Sequence, residues 1–199
     1  MKRLITLTFV FTAVCCMSCK EEKKDTETPA NGKKYVVGSY YNVDGVEGIV
    51  YKTNGTKGMI VSLEEGENLA WAKDYTIETK ADDFDNGAPN MEKIKKIGIA
   101  DYPAFEWCDR KNTGGVKGWY LPAEEELIDL ANVFEQLQDV IQAHKGTAFE
   151  EAAMYWSSSE TDAISANSYY ARALQLWSFP YTYAEYKNET YKVRAVHPF

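Results

Sequence analysis

Two segments at the start of the chain cannot join a folded core, and they confine the globular part to residues 34–199. The first is an apolar stretch of eleven residues, 4–14, which follows two basic residues. It is shorter than the about 20 residues that a membrane-spanning helix needs, and its order of residue types is that of a secretory signal peptide. The second segment, residues 20–32, is charged and lacks large apolar side chains, so we expect a solvated tether.

The junction between these two segments predicts a processing site. Ser18 is small and directly precedes Cys19, and the segment resembles a bacterial lipobox in which Cys16 stands where leucine is usual. We therefore predict a signal peptide over residues 1–18, lipidation of Cys19, and a disordered tether over residues 19–33. An ordinary cleaved signal peptide with incidental cysteines is the alternative. Several acyl chains on Cys19 would anchor the protein stably to a membrane.

The predicted anchor places the protein at the outer membrane or the cell surface. Lys20, Glu21 and Glu22 follow the lipidation site and resemble the short acidic export signal of surface lipoproteins in Bacteroidetes. Any polar tether would also supply acidic residues, so the sequence leaves the leaflet and the side of the membrane open.

Charge and cysteine content exclude several classes of protein. The formal net charge is −8 at pH 7. Removal of the signal peptide would take away the positive charges of Lys2 and Arg3, so the mature chain would be more negative. A surface that binds nucleic acid needs a basic footprint, so we expect no nucleic acid partner. Only Cys108 remains of the four cysteines once the N-terminal segments are set aside, which predicts a single domain without an internal disulfide.

The pattern of residues 34–199 predicts an α+β domain with strands at both ends and helices between them. A strand is expected over residues 35–41, and two more flank Asn54 and Gly55, a strong signal for a β-hairpin. Asn90 is a candidate N-cap for a short helix, and a helical turn is expected over residues 103–109.

The clearest helix starts at Pro122 and continues to about His144. Three glutamates follow the proline and suit the positive end of the helix dipole. Apolar residues recur with a period of 3.6 residues. The pattern leaves open whether the helix is interrupted near Asn132. Strand patterns then return over residues 155–158, 169–176 and 191–196.

The same region carries a family resemblance. The residues that carry it are 118–123, Glu126, Leu127, 155–160, Lys187 and 193–196. Together they resemble the C-terminal domain family of the Legionella collagen-like protein, a C-type-lectin-like fold found in Bacteroides surface lipoproteins. The resemblance implies two or three helices packed beside a twisted antiparallel sheet, and a domain that binds and does not catalyse. Some members of the family look like adhesin modules that recognise glycans or sulfated polysaccharides.

Most of the motif residues are better explained by structural roles than by ligand contacts. Trp119, Leu121 and Trp156 are expected in the core because large rings next to elements of regular structure are usually buried. Arg194 is expected to pair with a carboxylate or a carbonyl. Glu160 or one of the helix glutamates could supply the carboxylate.

No arrangement of residues predicts an enzyme, a metal centre or a cofactor. Cys108 as a nucleophile would need a nearby histidine, and nothing in the sequence brings His144 or His197 to it. Zinc would require three or four good ligands at short spacings. The oxygen-rich residues 82–87 leave calcium open, although a polar turn is the simpler interpretation, because Phe84 stands where a calcium loop would place a ligand.

One aromatic segment predicts a ligand-binding surface. Residues 177–186 contain five aromatic side chains, and Pro180 marks a turn or a sheet edge. If the segment after Pro180 is extended, Tyr181, Tyr183 and Glu185 share one face while Tyr186 points to the other. Two tyrosines beside a carboxylate suit a sugar, and Trp177 is expected to join this site.

The sequence therefore favours a lipid-anchored, non-catalytic binding domain whose ligand is a glycan or another surface ligand. The alternative is a structural or assembly subunit of the cell envelope that docks a protein partner. A concave aromatic groove with polar rims would favour the first, and an exposed apolar patch would favour the second.

The anchor assignment makes the first prediction. Cys19→Ala should abolish labelling with palmitate and release the protein from membranes, because no other residue of the chain offers a plausible lipidation junction. Fractionation of cells that express the variant measures both effects. A variant that still labels and still sediments with membranes would show that Cys19 is not the anchor.

Overall fold

The structure, a computed structural model, describes residues 34–161, 168–176 and 180–199. The predicted signal peptide, the tether with Cys19, and Trp177 of the expected ligand site lie outside these residues. The described part of the chain is an α+β fold, which confirms the predicted class. Within that part, no helix is both long and apolar enough to cross a membrane.

Strands come first, helices follow, and strands return at the end. The strands are β1 (Tyr40–Val43), β2 (Val46–Thr53), β3 (Gly58–Val61), β4 (Gly66–Ala70), β5 (Met154–Thr161), β6 (Tyr170–Gln175), β7 (Tyr181–Tyr186), β8 (Thr190–Val193) and β9 (Val196–Pro198). The helices are α1 (Gly87–Ile97), α2 (Pro103–Asp109), α3 (Glu124–Ala131) and α4 (Phe134–Ala143), with a 3-10 turn at Ile99–Asp101. The described residues thus contain four α-helices, where two or three were expected.

The strands divide into two sheets. One is antiparallel and has the order β1-β2-β3-β9, and the other has the order β4-β8-β5-β6-β7. Antiparallel pairing is confirmed throughout except between β5 and β8, which run parallel at Tyr155 and Lys192. The expected single sheet is wrong, because the chain passes from one sheet to the other after β3 and again after β8. The C-type-lectin-like arrangement remains a prediction.

The hairpin predicted around Asn54 and Gly55 is confirmed. Strands β2 and β3 pair antiparallel, and the Asn54 side chain accepts hydrogen bonds from the Thr56 and Lys57 amides at 3.1 and 3.0 Å. The strand expected over residues 35–41 is mostly wrong, because Gly38 adopts a φ of 85° and turns the chain. Only the last two residues of that range belong to β1.

The helices lie where they were predicted, but two of them start at residues other than those expected. The break near Asn132 separates α3 from α4, and Pro122 lies before α3 instead of in its first turn. Asn86, not Asn90, caps α1 by accepting a hydrogen bond from the Ala88 amide at 3.0 Å. Asn90 is fully buried inside the helix and bonds to the backbone of residue 83.

The predicted core residues are confirmed. Trp156 and Leu121 are fully buried, and Trp119 is nearly so. The Trp156 indole donates a hydrogen bond to the Leu69 carbonyl at 2.9 Å, which satisfies its polar edge. Cys108 is a buried free thiol, and burial raises the pKa of the thiol well above its ordinary value, so it behaves as a small apolar residue.

Arg194 lies where the chain passes from β8 to β9, and it holds the two crossings together. Its guanidinium is fully buried, donates to the Glu65 carboxylate at 3.1 Å, and donates to the Ser62 and Leu63 carbonyls at 3.0 Å each. Residues 62–65 form the other crossing, from β3 to β4. The expected structural pairing of Arg194 is thus confirmed, but Glu65 supplies the carboxylate, and Glu160 pairs with Lys187 instead.

This arrangement makes the second prediction. Arg194→Met should lower the free energy of unfolding by about 3 kcal/mol or more, because it leaves a buried carboxylate short of a charged partner. Lys52→Met is the control, since it removes an exposed ion pair with Asp129 and should cost less than about 1 kcal/mol. Urea denaturation measures both variants, and an equal effect of the two would contradict the role of Arg194.

Candidate ligand-binding site

The predicted aromatic segment forms the edge strand of the five-stranded sheet. Strand β7 pairs with β6 alone among the described strands, with Tyr183 opposite Ala173 and Tyr181 opposite Gln175. Pro180 directly precedes the strand. This position suits proline, because proline cannot donate a backbone hydrogen bond to a neighbouring strand. The extended conformation on which the predicted site depends is therefore present.

Alternation along β7 brings three of the four predicted site residues together. Tyr181, Tyr183 and Glu185 share one face of the sheet, and the two tyrosines keep 64% and 40% of their surface exposed. We call the surface that Tyr181, Tyr183, Glu185 and Tyr191 of β8 form together the tyrosine face. Trp177 lies outside the described residues.

Tyr191 on β8 belongs to the same face and was not anticipated. Its ring packs against Trp156 with the centroids 4.8 Å apart, and its hydroxyl lies within the influence of the Glu185 carboxylate. Burial, followed by the negative charge of Glu185, raises the pKa of Tyr191 to about 12, so the phenol remains a neutral donor at physiological pH. Glu185 therefore belongs to the same cluster as Tyr191, and its carboxylate oxygens are the acceptors that a ligand could use.

Small residues lie beneath the exposed tyrosines. Ala173 is opposite Tyr183, Ala171 is opposite Glu185, and both alanines are fully buried. Because the alanine side chains are only methyl groups, the Tyr183 and Glu185 side chains of β7 extend beyond them. The sequence contains both alanines, but only the strand register shows that they adjoin these residues.

The opposite side of β7 has a different environment. Tyr186 packs on Tyr170 and Tyr75, with centroid distances of 4.5 and 5.7 Å, which confirms its predicted orientation away from Tyr181. Next along β6 on that side, Arg172 approaches Glu124 of α3 at 3.6 Å. Helix α3 therefore adjoins the side of the sheet that is turned away from the tyrosine face.

The acidic turn considered for calcium is occupied by protein contacts. Asp82 forms an ion pair with Lys93 at 2.7 Å, which lowers the pKa of Asp82. Asp83 accepts hydrogen bonds from the Asp85 and Asn86 amides at 3.0 and 2.9 Å. Among the described residues, no group of three or more histidine, cysteine or acidic side chains is placed to hold a metal ion. The turn leads directly into the cap of α1.

Comparison with known proteins shows a shared fold. The chain matches no protein-family model, and it matches none of the curated proteins. It is similar to the crystal structure of a fimbrial protein from Bacteroides ovatus ATCC 8483, with a TM-score of 0.58 and 18% sequence identity. The match covers 83% of this chain and 49% of that one, so the chain spans about half the length of the fimbrial structure.

Proposed function

We propose that this chain is a lipid-anchored cell-surface protein whose domain, residues 34–199, binds a glycan through the tyrosine face and catalyses no reaction. One observation carries the proposal, which is the exposure of Tyr181 and Tyr183 side by side on an edge strand. Rings two residues apart on one face of a strand stand roughly 7 Å from each other, so both can contact one extended ligand.

The chemistry of the tyrosine face fits a carbohydrate. A sugar offers apolar C–H surfaces that pack on aromatic rings and hydroxyls that pair with polar groups. Tyrosine supplies both kinds of contact and loses little side-chain entropy when it becomes ordered. The Glu185 carboxylate, close to Tyr191, adds an acceptor at the end of the face.

Two further observations support a surface location. The N-terminal sequence resembles a lipoprotein signal, and the structural neighbour from Bacteroides ovatus is a fimbrial protein. The motifs that resemble the Legionella collagen-like domain family point the same way, since some of its members look like adhesin modules.

The second candidate function is that of a structural or assembly subunit. The description of the structural neighbour as a fimbrial protein favours it. In that case the exposed side chains of β7 would dock a protein partner, and Tyr186 on the opposite side would contribute as well as Tyr181 and Tyr183, because its ring is also 44% exposed.

The double variant Tyr181→Ala, Tyr183→Ala tests the proposal. Binding to a glycan identified on an array should fall at least about tenfold, because two stacking surfaces are lost, while the melting temperature stays the same. The protein for the array is the full chain in a detergent without a sugar headgroup, which cannot compete for the site.

Tyr186→Ala is the matched control, because it removes a ring of the same size from the other side of the same strand. It should retain glycan binding if the tyrosine face is the site. Unchanged binding of the double variant, or collapse of its fold, would refute the proposed site. Loss of binding to a protein partner in both variants would favour the assembly subunit.

A further inference from the structure

A cleft of about 620 Å³ opens in the other sheet, away from the tyrosine face. The β2–β3 hairpin forms one wall, and the start of α1 with the residues before it forms the opposite wall. Its size lies within the about 300–1,000 Å³ typical of sites for small ligands. The residues that matter most in its lining are Tyr51, Asn54, Met59, Asn86, Tyr120 and Glu126.

Tyr51 has an unfilled hydrogen-bonding group at this cleft. Its side chain is 2% exposed, and its hydroxyl has no hydrogen-bond partner in the described part of the chain. Two other buried tyrosines, Tyr120 and Tyr155, each donate to a carboxylate at 2.6 Å. A buried hydroxyl without a partner is rare in folded proteins, because its desolvation is not compensated. The Tyr51 phenol is therefore a lining group whose hydrogen-bonding capacity the protein itself leaves unused.

Glu126 forms a fixed part of the cleft wall. One carboxylate oxygen accepts from the Tyr120 hydroxyl, and the other accepts from the Gly87 and Ala123 amides at 2.9 Å each. Burial is the largest influence on this carboxyl and raises its pKa. Gly87 is needed for this approach, since a Cβ at that position would lie 2.2 Å from the Leu121 carbonyl oxygen. This part of the wall is thus held in place by hydrogen bonds within the protein.

The charges that line the cleft balance. Lys52 and Lys57 are opposed by Asp85 and Glu126, and Lys52 is already paired with Asp129 at 2.5 Å. The lining has no excess charge that would select a strongly anionic or cationic molecule. It combines amide and phenol groups with the apolar surfaces of Met59 and Pro198. A neutral molecule with both hydroxyls and C–H surface complements these groups.

We propose that this cleft is a second binding site, for a neutral polyhydroxylated molecule of one or two sugar rings, and that the Tyr51 phenol forms a hydrogen bond with a ligand hydroxyl. The Asn54 and Asn86 amides line the same space and supply polar contacts to the rim of the ligand. The site is independent of the tyrosine face, which belongs to the five-stranded sheet.

Tyr51→Phe tests the site, because it removes the hydroxyl and nothing else. The probes are glucose, galactose, mannose, fucose, N-acetylglucosamine, lactose and cellobiose, each titrated to about 20 mM so that Kd values near 1 mM are measurable. Saturation-transfer difference NMR on the full chain, in a detergent without a sugar headgroup, follows binding. At least one sugar should bind, and Tyr51→Phe should weaken it about five- to tenfold while its melting temperature stays equal or rises.

Tyr155→Phe is the control, because it removes a hydroxyl that is paired with Glu65. It should lower the melting temperature and leave sugar binding unchanged. The variant Tyr181→Ala, Tyr183→Ala should also keep binding at the cleft, which separates this site from the tyrosine face. Absence of binding by every probe, or equal binding by wild type and Tyr51→Phe, would overturn the proposal and identify the cleft as occupied by water alone.

Discussion

The Arg194 guanidinium is the contact on which the relation between the two sheets depends. It is fully buried between the two crossings of the chain, and it donates to the carbonyls of residues 62 and 63 as well as to Glu65. Glu65 also accepts from Lys192 at 2.7 Å and from the Tyr155 hydroxyl at 2.6 Å. Such a buried cluster is stable only when each charge is paired and hydrogen-bonded, so one geometry of the two crossings satisfies it. The two candidate sites lie in different sheets, so this geometry sets how they are placed relative to each other.

Local patterns predicted several of the individual elements. The Asn54-Gly55 hairpin, helix α2 and the break between α3 and α4 all follow from turn chemistry and from periodicity of apolar residues. The division of the strands into two sheets could not be predicted in this way. It depends on the contact between Arg194 and Glu65, which are 129 residues apart. A pattern within a short segment cannot predict a contact between such distant residues.

The same limit applies to the candidate site. Alternation of side chains along a strand was enough to place Tyr181, Tyr183 and Glu185 on one face. The participation of Tyr191 was not predictable, because β5 and β6 separate β8 from β7 in the sheet. Tyr51 gave no signal either, since a tyrosine in a hairpin strand resembles an ordinary core residue until its hydroxyl is found without a partner. Functional groups that depend on long-range register are thus visible only in the folded chain.

Hydrogen–deuterium exchange with a bound glycan tests the central claim, that the tyrosine face is a ligand-binding surface. The full chain is compared with and without the glycan that shows the strongest binding on the array. If the claim is right, exchange slows in β7 and in the strands β6, β5 and β8 beside it, because the ligand covers the face that these strands share. Slower exchange confined to the β2–β3 hairpin or to the helices, with no change in β7, would contradict it.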